Sequence, residues 1–376
     1  MSSTKASLFS VIGADIKDRL KGNKSRANAR LGLVNPPEGK SKLIWIRAGQ
    51  SRDSVLLAAG LMAAIRHKRL DVRLVLTYEK EYQDVIIEQL SGLEKIGFGY
   101  ACADTVSTEL RMLKRLDPFA IIFAGKSASD GVIQALQKQP VKHILNFQSD
   151  AIKSLSVEAS YPNISNIKQT ENTFEAMTLL MQSQVDVQLG ALLKGSETRE
   201  LFLISSPVNR SKLDMVLENW KQSDLSNRAI LCIYAGDAPD TVSEILDKKE
   251  LKKKYFSQWD RETAANNEIF VIDEWRWFAA TAASATAIHL LDYNQLTFWQ
   301  SLASATVLSL DDGIKPTLGL DLPHHGEEKL VSYWESLSDN AFLCRKLGDE
   351  NRRQFWSQRR LAQEQIDKLL QRVYDW

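Results

Sequence analysis

The sequence predicts an α/β protein of two Rossmann-like halves, each a parallel sheet covered by helices. Three observations carry this. Short apolar runs of strand length alternate with helical stretches, which implies crossover connections and parallel pairing. The alternation breaks once, over Asp150–Thr170, and then resumes. The chain has 376 residues, 44% hydrophobic and 25% charged, so it is long enough for two to three buried cores.

In the first half, Leu43-Ile44-Trp45-Ile46 is a short strand. Ser54–Arg66 follows as a helix, with Val55, Leu56, Leu57, Leu61, Met62 and Ile65 apolar. Val72–Thr77 alternates as a strand, Tyr82–Leu90 is helical and Ile96–Ala101 is a weak strand. Thr105–Leu116 is a helix, Ala120–Ala124 a strand, Ala128–Gln137 a helix and His143–Phe147 a strand. The interruption contains Tyr161-Pro162-Asn163, which suits a surface crossing, and a helical stretch Asn172–Leu193 stops at Gly195.

The second half repeats the rhythm. Strands are expected at Leu201–Ser205, Ile230–Tyr234, Ile269–Ile272, Ala287–Leu291 and Val307–Leu310. Helices are expected at Lys212–Trp220, Pro239–Lys248, Trp275–Thr286 and Leu296–Ala303, and a long helix from Glu350 to Val373 closes the chain. The expected divisions are a basic segment 1–25, a first Rossmann-like domain 26–195, a second 196–349 and a terminal helix 350–376. Ligands of such folds bind at the carboxyl ends of the strands, so the crevice is expected there, between the halves.

Charge and motifs exclude several functions. Lys+Arg total 48 against Asp+Glu 47, which gives no global attraction to nucleic acid. Cys102, Cys232 and Cys344 are far apart and lack CxxC spacing, which fits reduced packing residues. No window approaches a membrane span, and the start lacks the layout of a secretory signal. Residues 1–42 carry nine Lys/Arg against three acids. There Leu8, Phe9, Val11, Ile12, Ile16 and Leu20 form an apolar stripe at helical spacing, able to lie on an anionic bilayer or to dock on the body of the protein. Walker A, HExxH and GxSxG motifs are absent. Gly97-Phe98-Gly99 lacks the third glycine and the following helix of a dinucleotide fingerprint, and His324-His325 reads as a loop feature without a metal. The run Lys248–Lys254 reads as a solvated helix end or loop, and Trp275, Trp277, Phe278 and Trp299 as core packing.

Residues 26–77 add a family resemblance. The segment Arg26-Ala-Asn-Ala-Arg-Leu-Gly-Leu-Val-Asn-Pro-Pro, the strand Leu43-Ile-Trp-Ile-Arg-Ala and then Asp53 before an apolar helix resemble the N-terminal domain of 3-deoxy-D-manno-octulosonic acid (Kdo) transferases. Similarity runs weakly through the chain. It implies a GT-B fold and transfer of Kdo from CMP-Kdo to a lipid A-type glycolipid at the cytoplasmic face of the bacterial inner membrane. It also implies a peripheral membrane protein of lipopolysaccharide biosynthesis, with the basic N-terminus on the membrane surface. No cofactor beyond the nucleotide-sugar substrate and no nucleic-acid partner are expected. The family's catalytic Glu, in "IWIHAVSVGE", is matched by Asp53 in Ile44–Asp53. A carboxylate there could accept the acceptor hydroxyl proton, or it could cap the helix. Arg47, Gln50, Ser51, Arg52, Asn146, Ser206, Asn209, Arg210 and Gln300 stand at the positions implied for substrate binding.

Most of the family's site motifs are altered. The "ETELWP" acids are replaced in Ala124–Ser129, and the arginine of "NxR" is Gln148. The basic "PRHPER" segment is matched by Tyr234-Ala235-Gly236-Asp237-Ala238-Pro239, and the Gly-rich loop by His289-Leu290-Leu291-Asp292. Replacing such a loop removes close backbone approach to phosphate and adds negative charge. Weak or no CMP-Kdo binding is therefore expected. Three readings stay open: a Kdo-type transferase with Asp53 as base, a non-catalytic binding or scaffold relative, and a transferase for another nucleotide sugar with Arg47, Arg52 or Arg210 supplying positive charge.

Overall fold

The computed structural model describes residues 8–125, 128–147, 200–205, 210–236, 239–256, 269–315 and 320–376. The chain divides into two compact units, Met1–Met181 with Ala362–Trp376, and Gln182–Leu361.

The first unit begins with helices α1 (Leu8–Leu20) and α2 (Lys24–Arg30). It continues through β1 (Leu43–Ala48), α3 (Arg52–Lys68), β2 (Arg73–Tyr78), α4 (Gln83–Leu90), β3 (Ile96–Tyr100), α5 (Val106–Leu116), β4 (Ala120–Ala124), α6 (Asp130–Lys138) and β5 (His143–Phe147). The five strands are parallel in the order β3-β2-β1-β4-β5. β1 lies at the centre and is buried at every position, as expected of an apolar strand with helices on both faces. Trp45, Val75, Met112, Leu113 and Phe123 pack one face of the sheet. The Trp45 Nε1–H donates to Thr77 Oγ1 at 2.9 Å, so the buried indole is satisfied.

The second unit contains β6 (Glu200–Ser205), α7 (Arg210–Gln222), α8 (Leu225–Arg228), β7 (Ala229–Tyr234), α9 (Pro239–Lys248), β8 (Lys253–Tyr255), β9 (Ile269–Ile272), α10 (Trp275–Ser284), β10 (Ala287–Leu290), α11 (Gln295–Ala303), β11 (Val307–Leu310), α12 (Leu330–Ser338) and α13 (Ala341–Tyr374). Its parallel strands run β11-β10-β6-β7-β9-β8. Phe202, Trp220 and Trp334 form an aromatic cluster, with Phe202 and Trp334 stacked at 4.9 Å. Trp275, Trp277, Phe278 and Trp299 are buried, as core residues.

Several expectations need revision. The lysine run expected as a solvated end or loop contains β8, an edge strand whose Lys253 pairs with Asp247. Charge on an edge strand discourages pairing with other chains. Helices α2 and α12 were not expected. The closing helix starts at Ala341 rather than Glu350, and its final turns, from Ala362, belong to the first unit. The expected helix Asn172–Leu193 lies outside the described residues.

Two devices hold α13. A side chain at Gly348 would collide with the carbonyl oxygen of Ala305, so glycine permits the close approach, and Asn351 Nδ2 donates to Thr306 O at 2.8 Å. At the other end, Arg69 Nη1 donates to Tyr374 O at 2.7 Å, Lys42 Nζ donates to Trp376 O at 3.2 Å, and the Trp376 ring stacks on His143 at 4.9 Å. Near the N-terminus, Asp18 of α1 accepts a bond from Arg30 Nε of α2 at 2.7 Å. That pair draws α1 onto the body while Ile16 and Leu20 stay exposed. Among the described residues no helix is long and apolar enough to cross a membrane.

Candidate active site

In the first unit the strand order reverses between β1 and β4, the position where open parallel sheets leave a crevice. Ser54 stitches this point: its hydroxyl donates to Ala124 O and accepts from the Gly49 N–H, both at 2.6 Å. Ser51 caps α3, its hydroxyl accepting from the Ser54 N–H at 3.2 Å. Asp53 is therefore not the N-cap; it stands in the first helical turn and is half-buried. A carboxylate there is favoured by the exposed N–H groups of the helix start. The Arg52 guanidinium lies 4.9 Å from the centre of the Tyr82 ring, and the Tyr82 hydroxyl donates to Gln50 O at 3.0 Å.

Beside this turn is a cleft of about 360 Å³ lined by Gln50, Glu79, Tyr100, Asp104, Arg26 and Arg30. The arginines come from α2 and the other groups from the ends of β1, β2 and β3. Arg26 lies 5.3 Å from the Tyr100 ring centre, and Tyr100 donates to Glu81 at 2.6 Å. Burial, with the neighbouring Glu81 carboxylate, pushes the Tyr100 phenol up, so it stays a neutral donor. Cations, carboxylates and a phenol in one cleft suit a ligand with several hydroxyls and negative charge. Of the residues expected to bind substrate, Gln50 lines this cleft.

Arg47 does not line it. The residue is 1% exposed, and its guanidinium makes two bonds to Glu109, at 2.6 and 2.8 Å. It also lies 4.4 Å from the Trp45 ring centre. A ligand could reach Arg47 only by displacing Glu109, so the expectation that it supplies positive charge to a substrate is corrected. Asn146 stands on β5 in register with Phe123.

In the second unit the strand order reverses between β6 and β10. On one face, at the ends of β10 and β11, stand His289, Ser309 and Asp311, with Lys212 of α7 beside them. His289 Nδ1 and Ser309 Oγ are 3.0 Å apart. When the Ser309 hydroxyl donates to Ile288 O, at 3.4 Å, Nδ1 carries the proton and Nε2 is left as an acceptor. That Nε2 is buried without a partner. Burial, opposed by Asp311, pushes the imidazole pKa down to about 3 and keeps it neutral. Asp311 is 2% exposed; its Oδ1 takes Lys212 Nζ and the Gly313 N–H, while Oδ2 is buried without a partner. His324 Nδ1 donates to Asp311 O at 3.2 Å, and His325 stacks on Tyr333 at 3.9 Å. The result is two unpaired buried acceptors beside one lysine at the carboxyl end of the sheet. Such groups accept from hydroxyl or amino hydrogens of a ligand, and buried polar atoms left unpaired are costly otherwise.

The residues expected to bind donor fall elsewhere. Arg210 opens α7 on the surface, 3.3 Å from Glu244 with both side chains exposed. Gln300 lies within α11 and is 2% exposed, so it does not present its amide to a ligand. Ser206 and Asn209 lie outside the described residues. His289, Ser309, Asp311 and Lys212 were missed as a group. Their signal was present as polar residues inside or just after otherwise apolar strands, in Ala287–Leu290 and Val307–Leu310.

No protein-family model and no curated protein sequence matches the chain. Solved structures do. The UDP-GlcNAc 2-epimerase of Neisseria meningitidis, bound to UDP-GlcNAc, superposes with a TM-score of 0.53 at 10% identity, over 88% of this chain and 100% of that one. The trehalose 6-phosphate synthase of Burkholderia multivorans gives 0.51 at 11% identity, over 89% and 97%. The C-terminal CMP-Kdo binding domain of WaaA from Acinetobacter baumannii gives 0.37 at 12% identity, over 44% and 95%, too low to carry an argument. At these identities the likeness establishes the fold alone. The chain has an α/β fold of the GT-B type, with two parallel-strand sheets.

Proposed function

We propose that the protein is a nucleotide-sugar-dependent glycosyltransferase related to Kdo transferases. It would move a 3-deoxy-octulosonic or related sugar from a CMP-activated donor to a lipid A-type acceptor at the inner face of the bacterial inner membrane. The observation that carries this is the pair of unpaired buried acceptors, His289 Nε2 and Asp311 Oδ2, beside Lys212 at the strand ends of the second unit. They suit ribose hydroxyls or base amino hydrogens, with the lysine opposite the donor's negative charge. The fold neighbour bound to UDP-GlcNAc supports a partner of that class.

In this reading the first unit's cleft holds the acceptor. Its hydroxyl oxygen attacks the anomeric carbon, the bond from that carbon to the CMP phosphate oxygen breaks, and the hydroxyl proton passes to the Asp53 carboxylate. CMP departs with the bonding electron pair.

A second reading, a binding protein without turnover, is favoured by the turn that replaces the family's Gly-rich loop. There the Leu291 N–H is already bonded to Ser205 O at 3.1 Å and so is not offered to phosphate. Calorimetry with CMP, CMP-Kdo, UDP and UDP-sugars, followed by a transfer assay on lipid A precursors, separates the readings. The transferase predicts saturable nucleotide binding, weak for CMP-Kdo and reduced at least tenfold by Asp311→Asn, together with turnover. Glycolipid binding without nucleotide heat or turnover would instead establish the second reading.

A further inference from the structure

Helix α13 carries a surface that the proposed chemistry does not use. At about 100° per residue, its side chains sort into two faces. Gly348, Asn351 and Phe355 are buried and turned toward the second unit. On the neighbouring arc, about 140° wide, stand Arg345, Lys346, Arg352, Arg353 and Arg360, all exposed, with half-buried Arg359 at its edge. Among the described residues none of these six cations forms an ion pair; Asp349 is the acid within the arc up to Arg360, and Glu364 and Asp367 follow on the same azimuths one to two turns further on.

Two large apolar side chains lie in the same arc. Phe342 is 80% exposed and Trp356 52%, set about 21 Å apart along the axis. Arg359 lies 5.5 Å from the Trp356 ring centre. Soluble surfaces seldom show exposed aromatic rings within a dense field of unpaired cations. The pattern fits a plane that is apolar at depth and negative at its surface.

We propose that this face of α13 docks on a bilayer containing anionic lipid, with Phe342 and Trp356 entering the interface and the cations meeting headgroup phosphates. Three features favour a bilayer over an acidic protein or a nucleic acid. The two aromatic rings are set well apart along the helix rather than paired in one place. The charge is distributed on both sides of them. One carboxylate, Asp349, stands between the rings against six cations, so the face stays strongly positive. The proposal does not rest on transferase activity, and it differs from docking through residues 1–25.

The test is co-sedimentation of the full chain with phosphatidylcholine vesicles, with and without phosphatidylglycerol. The expected result is binding to the anionic vesicles alone, weakened by salt. Arg352→Glu with Arg353→Glu should lower the partition coefficient at least tenfold, since each cation near an anionic surface contributes roughly a fivefold factor. Trp356→Ala should weaken binding and remove part of the blue shift in tryptophan emission that accompanies it. Because these positions are exposed, the melting temperature should hold. The proposal is overturned if the variants bind like the parent, if neutral vesicles bind equally well, or if Lys17→Glu with Lys21→Glu abolishes binding while the α13 reversal leaves it intact. Tighter binding to RNA, or variant-sensitive self-association without vesicle binding, would overturn it too. None of these outcomes depends on nucleotide or turnover.

Discussion

Arg47 and Glu109 close on each other inside the first unit, guanidinium to carboxylate, through two bonds of 2.6 and 2.8 Å at side chains 2% and 1% exposed. Despite the burial, the neighbouring carboxylate keeps the arginine pKa raised. The pair ties β1 to α5 and withdraws a charge that its place near a strand end would otherwise offer to a ligand.

Breaking that pair on one side should be severe. Arg47→Met leaves Glu109 buried and alone, and Glu109→Gln leaves the cation partly unpaired; the former should cost about 3–5 kcal/mol. Replacing both together, Arg47→Met with Glu109→Leu, should recover most of the loss. Chemical denaturation of the single and double variants measures this, and equal losses in all would show that packing rather than charge is at stake.

Asp53 and Ser51 divide two roles. Ser51→Ala should destabilise by about 1 kcal/mol through the lost cap and leave turnover measurable. Asp53→Asn should abolish transfer while costing no more than about 1 kcal/mol from the helix-start charge. Thermal melts run beside the transfer assay separate the two; a large loss of stability in Asp53→Asn would argue that the carboxylate is structural.

His289 should make the protein acid-sensitive. Its folded pKa, about 3, lies below the value near 6.5 of an unfolded histidine. The unfolded chain therefore binds the extra proton first, and the associated stability is full above pH 6.5 and falls as the pH drops toward 3. The slope from this group approaches about 1.4 kcal/mol per pH unit. His143 and His325, also pushed down by burial and nearby cations or histidines, act in the same direction. In denaturant titrations from pH 7 to pH 4, His289→Asn should flatten the dependence. An unchanged slope would mean that the ring is not held neutral.

Gly348→Ala should dislodge α13, since the added methyl meets the Ala305 carbonyl. Overpacking of this kind costs about 1–3 kcal/mol. Asn351→Leu, which strands the Thr306 carbonyl, should cost about 1–3 kcal/mol. Both are read from urea midpoints.

The sheet architecture was legible because its strands are apolar runs of the right length: Ala120–Ala124, His143–Phe147, Ile269–Ile272 and Val307–Leu310 fall where they were expected. Lys253–Tyr255 was not legible, since a strand paired on one side needs no apolar run. Helix α2 was hidden because its sequence, KSRANAR, has little apolar periodicity and is held by an Asn23 cap and the Asp18–Arg30 pair instead. The site was less legible than the fold. Arg47 looked like a ligand because its partner Glu109 lies far along the chain, and Asp311 was unremarked because its meaning depends on Lys212 and His289 meeting it in space. Side-chain partners brought together by topology leave no local spacing to read.

The path of the chain through α13 bears on fragment complementation. The first unit holds both the N-terminal sheet and the turns after Ala362, anchored there by Arg69, Lys42 and the His143–Trp376 stack. A polypeptide severed between residues 148 and 199 would thus yield two pieces, one of which still carries a plug for the other. Co-expressed as separate genes, they would be expected to associate, giving a split version of the protein whose reassembly reports on the grip of fifteen terminal residues.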